Sequence, residues 1–307
     1  LHLFEFLLYN HAMTDTKKPV LIIGAKGQLG RALMEHCDHA IGVGREELNL
    51  ETLSYFPQEV AGIVPAAIIN AAAYTAVDKA EEEEIKAHQV NAVAPALLAN
   101  YCAGQRIPFV HFSTDYVFDG SGAARWHEED ITAPLNAYGR SKLAGEKRVA
   151  EAGGKYLIFR TSWVYDETGK NFLNTMLRLG AERESLKVVN DQFGAPTYAR
   201  HLAIAALEAL ENASHSPRFP SGIYHLCGGG ETHWQHFAEQ IFSLARKHHQ
   251  PLKVHAIEGI PSEAYPTPAA RPRNSCLNCD KAYQVLGVKL PHWEEALEEC
   301  MERKYAT

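Results

Sequence analysis

Val20-Leu21-Ile22-Ile23 is a short unbroken apolar run stopped by Gly24, the profile of a strand buried on both faces of a parallel sheet. From Gln28 to about Cys37 the period changes, and Leu29, Ala32 and Leu33 fall on one face of a helix. Ile41 to Val43 and Ala67 to Ile69 read as further strands. A long helical region then begins with Glu81-Glu82-Glu83-Glu84, whose charges suit the positive end of a helix dipole and predict a solvated first turn. Phe109 to Phe112 is a strand, Ala137 to about Ala152 a helix, and Tyr156 to Phe159 a strand again. Strands alternating with helices from residue 20 to 160 predict an α/β fold, a doubly wound parallel sheet of Rossmann type.

After Trp163 the rhythm breaks. Helices around Phe172–Leu179 and Leu202–Leu210 flank the turn-rich stretch Asn190 to Pro196. The proline-rich stretch Glu258 to Pro272 predicts an extended surface loop, and an amphipathic helix follows from His292 to Arg303. The second part is therefore smaller and irregular. Residues 13–170 with about 195–226 are expected to form a dinucleotide-binding domain. About 171–194 with 227–307 are expected to form an α/β substrate domain. Residues 1–12 lack the basic region and cleavage site of a secretory signal, and Met13 reads as the natural start, so they are set aside as an extension.

Composition narrows the function. Thirty Lys and Arg against 37 Asp and Glu leave a net charge of -7 with no basic tract, a poor basis for binding nucleic acid. No run of roughly 18 apolar residues exists to span a membrane. The six cysteines are too sparse for a disulfide scaffold and fit a reducing cytoplasm. Cys276-x-x-Cys279 has zinc-ligand spacing but no second pair, so two ordinary thiols are expected and no metal is assigned.

The chemistry begins at Gly24-Ala25-Lys26-Gly27-Gln28-Leu29-Gly30, between the first strand and the first helix. Glycines at such a junction permit a tight turn and close approach of backbone to a pyrophosphate, and the helix N-terminus offers free N–H groups. After the second strand, an acidic residue holds the ribose 2′-OH of NAD, whereas arginine accommodates a 2′-phosphate. Arg45 favours NADPH here, and Glu46 and Glu47 leave NADH open.

Tyr138 and Lys142 stand four residues apart, one turn apart on one helix face. Ser113-Thr114-Asp115 sits at the C-terminal end of a predicted parallel strand, where ligands bind in such sheets. A ketone accepting hydride needs a proton donor. Free tyrosine, with a pKa of about 10, holds its proton too tightly for easy exchange near neutrality. A nearby ammonium lowers that pKa and burial raises it, so this reading requires the Lys142 cation to win. The hydroxyl of Thr114, or of Ser113, is placed to orient the carbonyl.

These stretches resemble the extended short-chain dehydrogenase/reductases and, within them, the dTDP-4-dehydrorhamnose reductase family. The resemblance is carried by Gly24–Gly30, Asn70–Glu81, Ser113–Gly120, Tyr138–Lys142, Arg160–Tyr165 and Val189–Thr197, and it spans residues 19 to 300. It implies reduction of the C4 ketone of dTDP-4-dehydro-L-rhamnose to dTDP-L-rhamnose, a precursor of cell-surface polysaccharide. It implies Thr114, Tyr138 and Lys142 as the catalytic trio, and Gly27, Gln28 and Leu29 as the pyrophosphate loop. Ala71, Ala72 and Ala73 would pass beside the cofactor, while Asp115, Trp163, Asn171 and Arg271 would meet the nucleotide sugar. For Trp163 a core role, and for Arg271 a solvated loop, are the alternative readings.

Leu48-Asn49-Leu50 departs from a Leu-Asp-Leu pattern common in relatives and leaves the adenine contact open. Some relatives bind magnesium between subunits through scattered glutamates that have no placed counterpart here, so magnesium stays open. A homodimer is the default assembly. Two other functions fit the same scaffold. One is a sugar-nucleotide epimerase or dehydratase, although a dehydratase needs an acidic pair after the threonine and Tyr116 follows Asp115. The other is a non-catalytic NADP-binding regulatory subunit like the beta subunit of methionine adenosyltransferase.

Overall fold

The computed structural model describes residues 18–55 and 62–306. The proposed extension 1–12 and the start at Met13 lie outside the described residues. Six parallel strands form the central sheet: β1 (Val20–Ile23), β2 (Ala40–Val43), β3 (Ala67–Asn70), β4 (Phe109–Thr114), β5 (Tyr156–Thr161) and β10 (Gly222–His225). Their order is β2-β1-β3-β4-β5-β10. The chain steps from β1 outward to β2 and returns to β3 on the other side of β1. A crevice opens outside the carboxyl ends of the strands at such a reversal.

Successive residues of a strand point to opposite faces, so an apolar run needs helices on both. Ile22, Ile69, Val110 and Leu157 face one core, closed by Leu33 of α1 (Gln28–His36) and Leu202 of α7 (Ala199–His215). Leu21, Ile23, Ile68 and Ile158 face the other, closed by Leu98 of α4 (Ala94–Gln105) and Val149 of α5 (Ala137–Ala152). A third core gathers Leu173 of α6 (Phe172–Glu182), Phe237 and Ile241 of α8 (Trp234–Lys247), and Leu297 of α10 (Trp293–Tyr305). Short pairings stitch this part together: β6 (Val164–Tyr165) with β9 (Thr197–Tyr198), β7 (Ser185–Val189) with β12 (Ala256–Ile260), and β8 (Phe193–Gly194) with β11 (Thr232–His233). Among the described residues, no helix is long and apolar enough to cross a membrane.

The structure corrects two expectations. The stretch Glu258–Pro272 is not loop throughout: it starts inside β12, whose Ala256–Ile260 pair with β7 residue by residue. An edge strand gives Ile257 and Ile260 a packing surface, which the prolines after them obscure in the sequence. The acidic run does not open one long helix either, although Glu81, Glu82 and Glu84 are exposed as expected. One short helix, α2 (Val77–Ala80), ends before Glu81, and α3 (Glu84–His88) begins at Glu84. Glu81 accepts the Ala137 N–H at 2.7 Å where α5 starts, and Glu83 accepts the Tyr74 hydroxyl at 2.9 Å. Glu84 meets Arg140 at 3.1 Å. These carboxylates seat the front of α5, the helix that carries Tyr138 and Lys142.

Candidate active site

A cavity of about 1010 Å³ lies along the carboxyl ends of β1, β3 and β4. At one end is the glycine turn. Gly24 has φ +84°, and a Cβ there would come within 2.7 Å of the Ala72 backbone nitrogen, so the turn and the β3 exit close on each other only without a side chain. Gly27 is the N-cap of α1 and donates its own N–H to the Gly24 carbonyl at 2.9 Å, and no side chain caps the first turn, which begins in the cavity wall. Gln28 and Leu29 line the same wall, and Ala71, Ala72 and Ala73 form the opposite one. Gly30 does not line the cavity. It packs beneath, where a Cβ would strike the Gly24 carbonyl oxygen at 2.0 Å.

Arg45 lines the far edge and pairs with Glu51 at 2.7 Å, with Leu48, Asn49 and Leu50 beside it. Glu46 is taken by Lys26 at 2.8 Å, and Glu47 accepts the Gly44 N–H at 2.8 Å. Glu46 and Glu47, the two candidates to hold a ribose diol, are thus occupied, and Arg45 and Lys26 stand at the same edge in ion pairs with Glu51 and Glu46. The uncapped helix end and the side-chain-free turn fit the pyrophosphate of a dinucleotide, and Arg45 is the residue at the far edge able to exchange its carboxylate partner for a 2′-phosphate.

At the other end, Thr114, Tyr138 and Lys142 line one stretch of wall. Asn136 caps α5 by accepting the Gly139 N–H at 2.8 Å, which fixes the turn that presents Tyr138. The edge of Tyr116 packs on the Tyr138 ring at 5.6 Å and 78°. Lys142 is buried, and its Nζ donates to the Phe112 carbonyl at 2.5 Å. Of the two candidate hydroxyls, Ser113 is committed: its Oγ donates to Glu146 at 2.5 Å. Both line the cavity, and Thr114 donates to Asp115 Oδ1 at 3.0 Å and accepts the Tyr116 N–H at 3.2 Å.

The model for the RmlD substrate binding domain matches residues 17–306. The dTDP-4-dehydrorhamnose reductase of Burkholderia thailandensis is 44% identical over 292 residues, covering 92% of this chain and 97% of that protein. The enzyme of the same name from Escherichia coli K12 is 46% identical over 250 residues, covering 81% and 83%. A crystal structure of dTDP-4-dehydrorhamnose reductase from Bacillus anthracis in complex with NADP superposes with a TM-score of 0.86 at 36% identity, covering 94% of this chain and 100% of that one. The chain belongs to the RmlD family.

In this RmlD-family chain the electrostatics of the trio differ from the expectation that the cation wins. Burial raises the Tyr138 phenol well above its ordinary value of 10, and the hydrogen bond with Thr114 offsets only part of that rise. The phenol is thus fully protonated at neutral pH, the form a proton donor requires. Burial also lowers Lys142 to about 8, with Glu146 pulling the other way, so the ammonium persists at neutrality. Asp115 is raised to about 6 by burial, against hydrogen bonds from Ser275 and Thr114.

Trp163 lines the cavity in a left-handed conformation (φ +49°), stacked on Trp234 at 3.6 Å and 14°. Trp234 carried no local signal in the sequence. Its Nε1 donates to Gln192 at 3.2 Å, which ties the Asn190–Pro196 stretch to the cavity. Asn171 and Arg271 are not in the wall. Asn171 caps α6 and donates to Gln28 Oε1 at 2.7 Å, bracing a residue that is. Arg271 grips Asp78 with both Nη atoms, at 2.9 and 2.8 Å, so its fork is engaged within the chain. Cys279 lies 3.6 Å from Cys227, and among the described residues no three His, Cys, Asp or Glu side chains gather as a metal site.

Proposed function

We propose that this chain reduces the C4 ketone of dTDP-4-dehydro-L-rhamnose to dTDP-L-rhamnose, with NADPH as the preferred cofactor. The reading is carried by one observation: Thr114, Tyr138 and Lys142 face the same cavity as the uncapped N-terminus of α1, in a chain of the RmlD family. A reduced nicotinamide dinucleotide, once bound, supplies hydride to the carbonyl carbon. The α1 N-terminus and the turn around Gly27 hold the pyrophosphate, and Arg45 and Lys26 meet the 2′-phosphate. Thr114 hydrogen-bonds the ketone oxygen and holds it beside Tyr138. The Tyr138 phenol gives its proton to that oxygen as negative charge develops, and the Lys142 ammonium stabilises the phenolate left behind. Solvent then restores the proton, so one ketone, one NADPH and one proton become one alcohol and one NADP.

Residues 13–170 with about 195–226 serve the cofactor in this reading, and about 171–194 with 227–307 serve the sugar nucleotide. Asp115 and the Trp163 indole belong to the sugar end. The small-molecule substrate fits a cytoplasmic biosynthetic enzyme, working as a homodimer. The test is purified protein with NADPH and the dTDP-4-dehydro sugar, following loss of nicotinamide absorbance and formation of dTDP-L-rhamnose. Equimolar loss of NADPH and gain of product is expected. Interconversion of sugars without net consumption of NADPH would instead make it an epimerase, and tight cofactor binding with no turnover would favour the regulatory reading.

A further inference from the structure

Behind the trio lies a buried ionic network with no part in the mechanism above. Glu146 follows Lys142 by one helical turn on α5, and both side chains are buried. The Glu146 carboxylate accepts Ser113 Oγ at 2.5 Å, Arg160 Nε at 2.9 Å and Arg160 Nη2 at 2.7 Å. Arg160 lies opposite Ser113 in the β4–β5 register, and it reaches the Glu128 carbonyl at 3.3 Å and the face of Phe118 at 5.0 Å. Phe112, Ser113 and Thr114 are consecutive at the end of β4. All three line the cavity; the first holds Lys142 through its carbonyl, the second holds Glu146, and the third donates to Asp115. Two adjacent ties therefore fix α5 against the strand end that presents Thr114.

An ion pair this deep gains little over well-packed apolar side chains, because both charges lose their water. Its placement offers a reason for keeping it. Among the groups facing Lys142, His111 on β4 is held neutral by burial, and the Tyr138 phenol on the same helix is protonated. Asp115 lies beyond Thr114, and Arg160 from β5 is turned onto Glu146. Asn91, from the segment packed on α5, brings only an amide to Ser141. Glu146 is the charge that favours the ammonium.

We propose that Glu146, clamped by Arg160 and Ser113, is a positioning residue that keeps the Lys142 ammonium charged and α5 in register with the end of β4. The proposal rests on the reading of Tyr138 as the acid. Without the Glu146 charge, burial alone governs Lys142 and its proton is lost at lower pH.

The experiment measures kcat and KM for NADPH consumption from pH 6 to 9.5 in the full chain. Turnover falls as Lys142 deprotonates, and in Glu146→Gln this fall moves to lower pH by about one unit, with kcat at pH 8 down ~10-fold and KM within ~3-fold. Glu146→Asp keeps the charge, so its fall stays at the wild-type pH while kcat drops. A folded Glu146→Gln with the wild-type profile overturns the proposal, because a purely structural role lowers kcat without moving the limb. If Glu146→Gln does not fold, Ser113→Ala decides: the loosened carboxylate moves the fall in kcat to lower pH with KM retained, and a fall at the wild-type pH overturns the proposal. Absence of wild-type turnover sinks the reductase reading and this proposal with it, whereas normal turnover with an unmoved limb sinks this proposal alone.

Discussion

Replacing Asp115 with asparagine should change stability in a pH-dependent way, gaining on the wild type as pH rises. The carboxyl is buried at the end of β4 and titrates near 6 in the folded chain, against an ordinary 3.8. An acid raised in this way favours the folded state only while protonated. Its contribution is complete below 3.8 and is lost as pH rises through 6. The gap of about two pKa units corresponds to ~3 kcal/mol at neutral pH, a cost the wild type bears and an asparagine does not. For a chain of this size that amounts to a Tm difference on the order of 5 °C. The assay is thermal unfolding of both proteins from pH 4 to 8, taking the difference in Tm at each pH so that other titrating groups cancel. Any fixed change from swapping a carboxyl for an amide raises or lowers the whole curve equally. The difference should grow between pH 4 and 6 and level off above 7. A difference independent of pH would mean that Asp115 is not held near 6 by burial, and the electrostatic account of the sugar end would be wrong. Stability gained at the expense of a catalytic cavity is the usual trade at such sites.

Two further outcomes follow from the cofactor end. Gly24→Ala places a Cβ 2.7 Å from the Ala72 backbone nitrogen at a φ of +84°, so equilibrium titration should show NADPH affinity down ~10-fold or more, and unaltered affinity would exclude a tight turn as the reason for glycine. Arg45→Ala should weaken NADPH ~10-fold and leave NADH within ~2-fold, since only the 2′-phosphate loses a partner; equal weakening of both would move phosphate recognition to Lys26 alone.

The sheet was largely legible because buried parallel strands are short apolar runs that helices interrupt: Val20–Ile23 is strand in both readings, and Ala137–Ala152 is helix in both. The four-residue spacing of Tyr138 and Lys142 also survived, since helical geometry alone puts them on one face. What the chain order hides is pairing at long range. Arg271 and Asp78 are 193 positions apart, and nothing local to either predicts that Arg271 is engaged. Ser113 and Thr114 are chemically alike, and only their partners separate them: Ser113 donates to Glu146, brought over by α5, and Thr114 donates to Asp115 beside it. Glu146 did have a signal, the same four-residue spacing from Lys142, but a glutamate on a helix reads as solvated until its neighbours are known. Trp234 had none, because its partner Trp163 lies far from it in the chain, just before β6.

Tyr138→Phe tests the central claim most directly, since it removes one oxygen and its proton from the cavity wall and leaves the ring on Tyr116 in place. With saturating NADPH and dTDP-4-dehydro-L-rhamnose, kcat should fall ~10²-fold or more, while the dissociation constant for NADPH stays within ~3-fold. Turnover near the wild-type rate would contradict the account, because the ketone oxygen would then be taking its proton from another group.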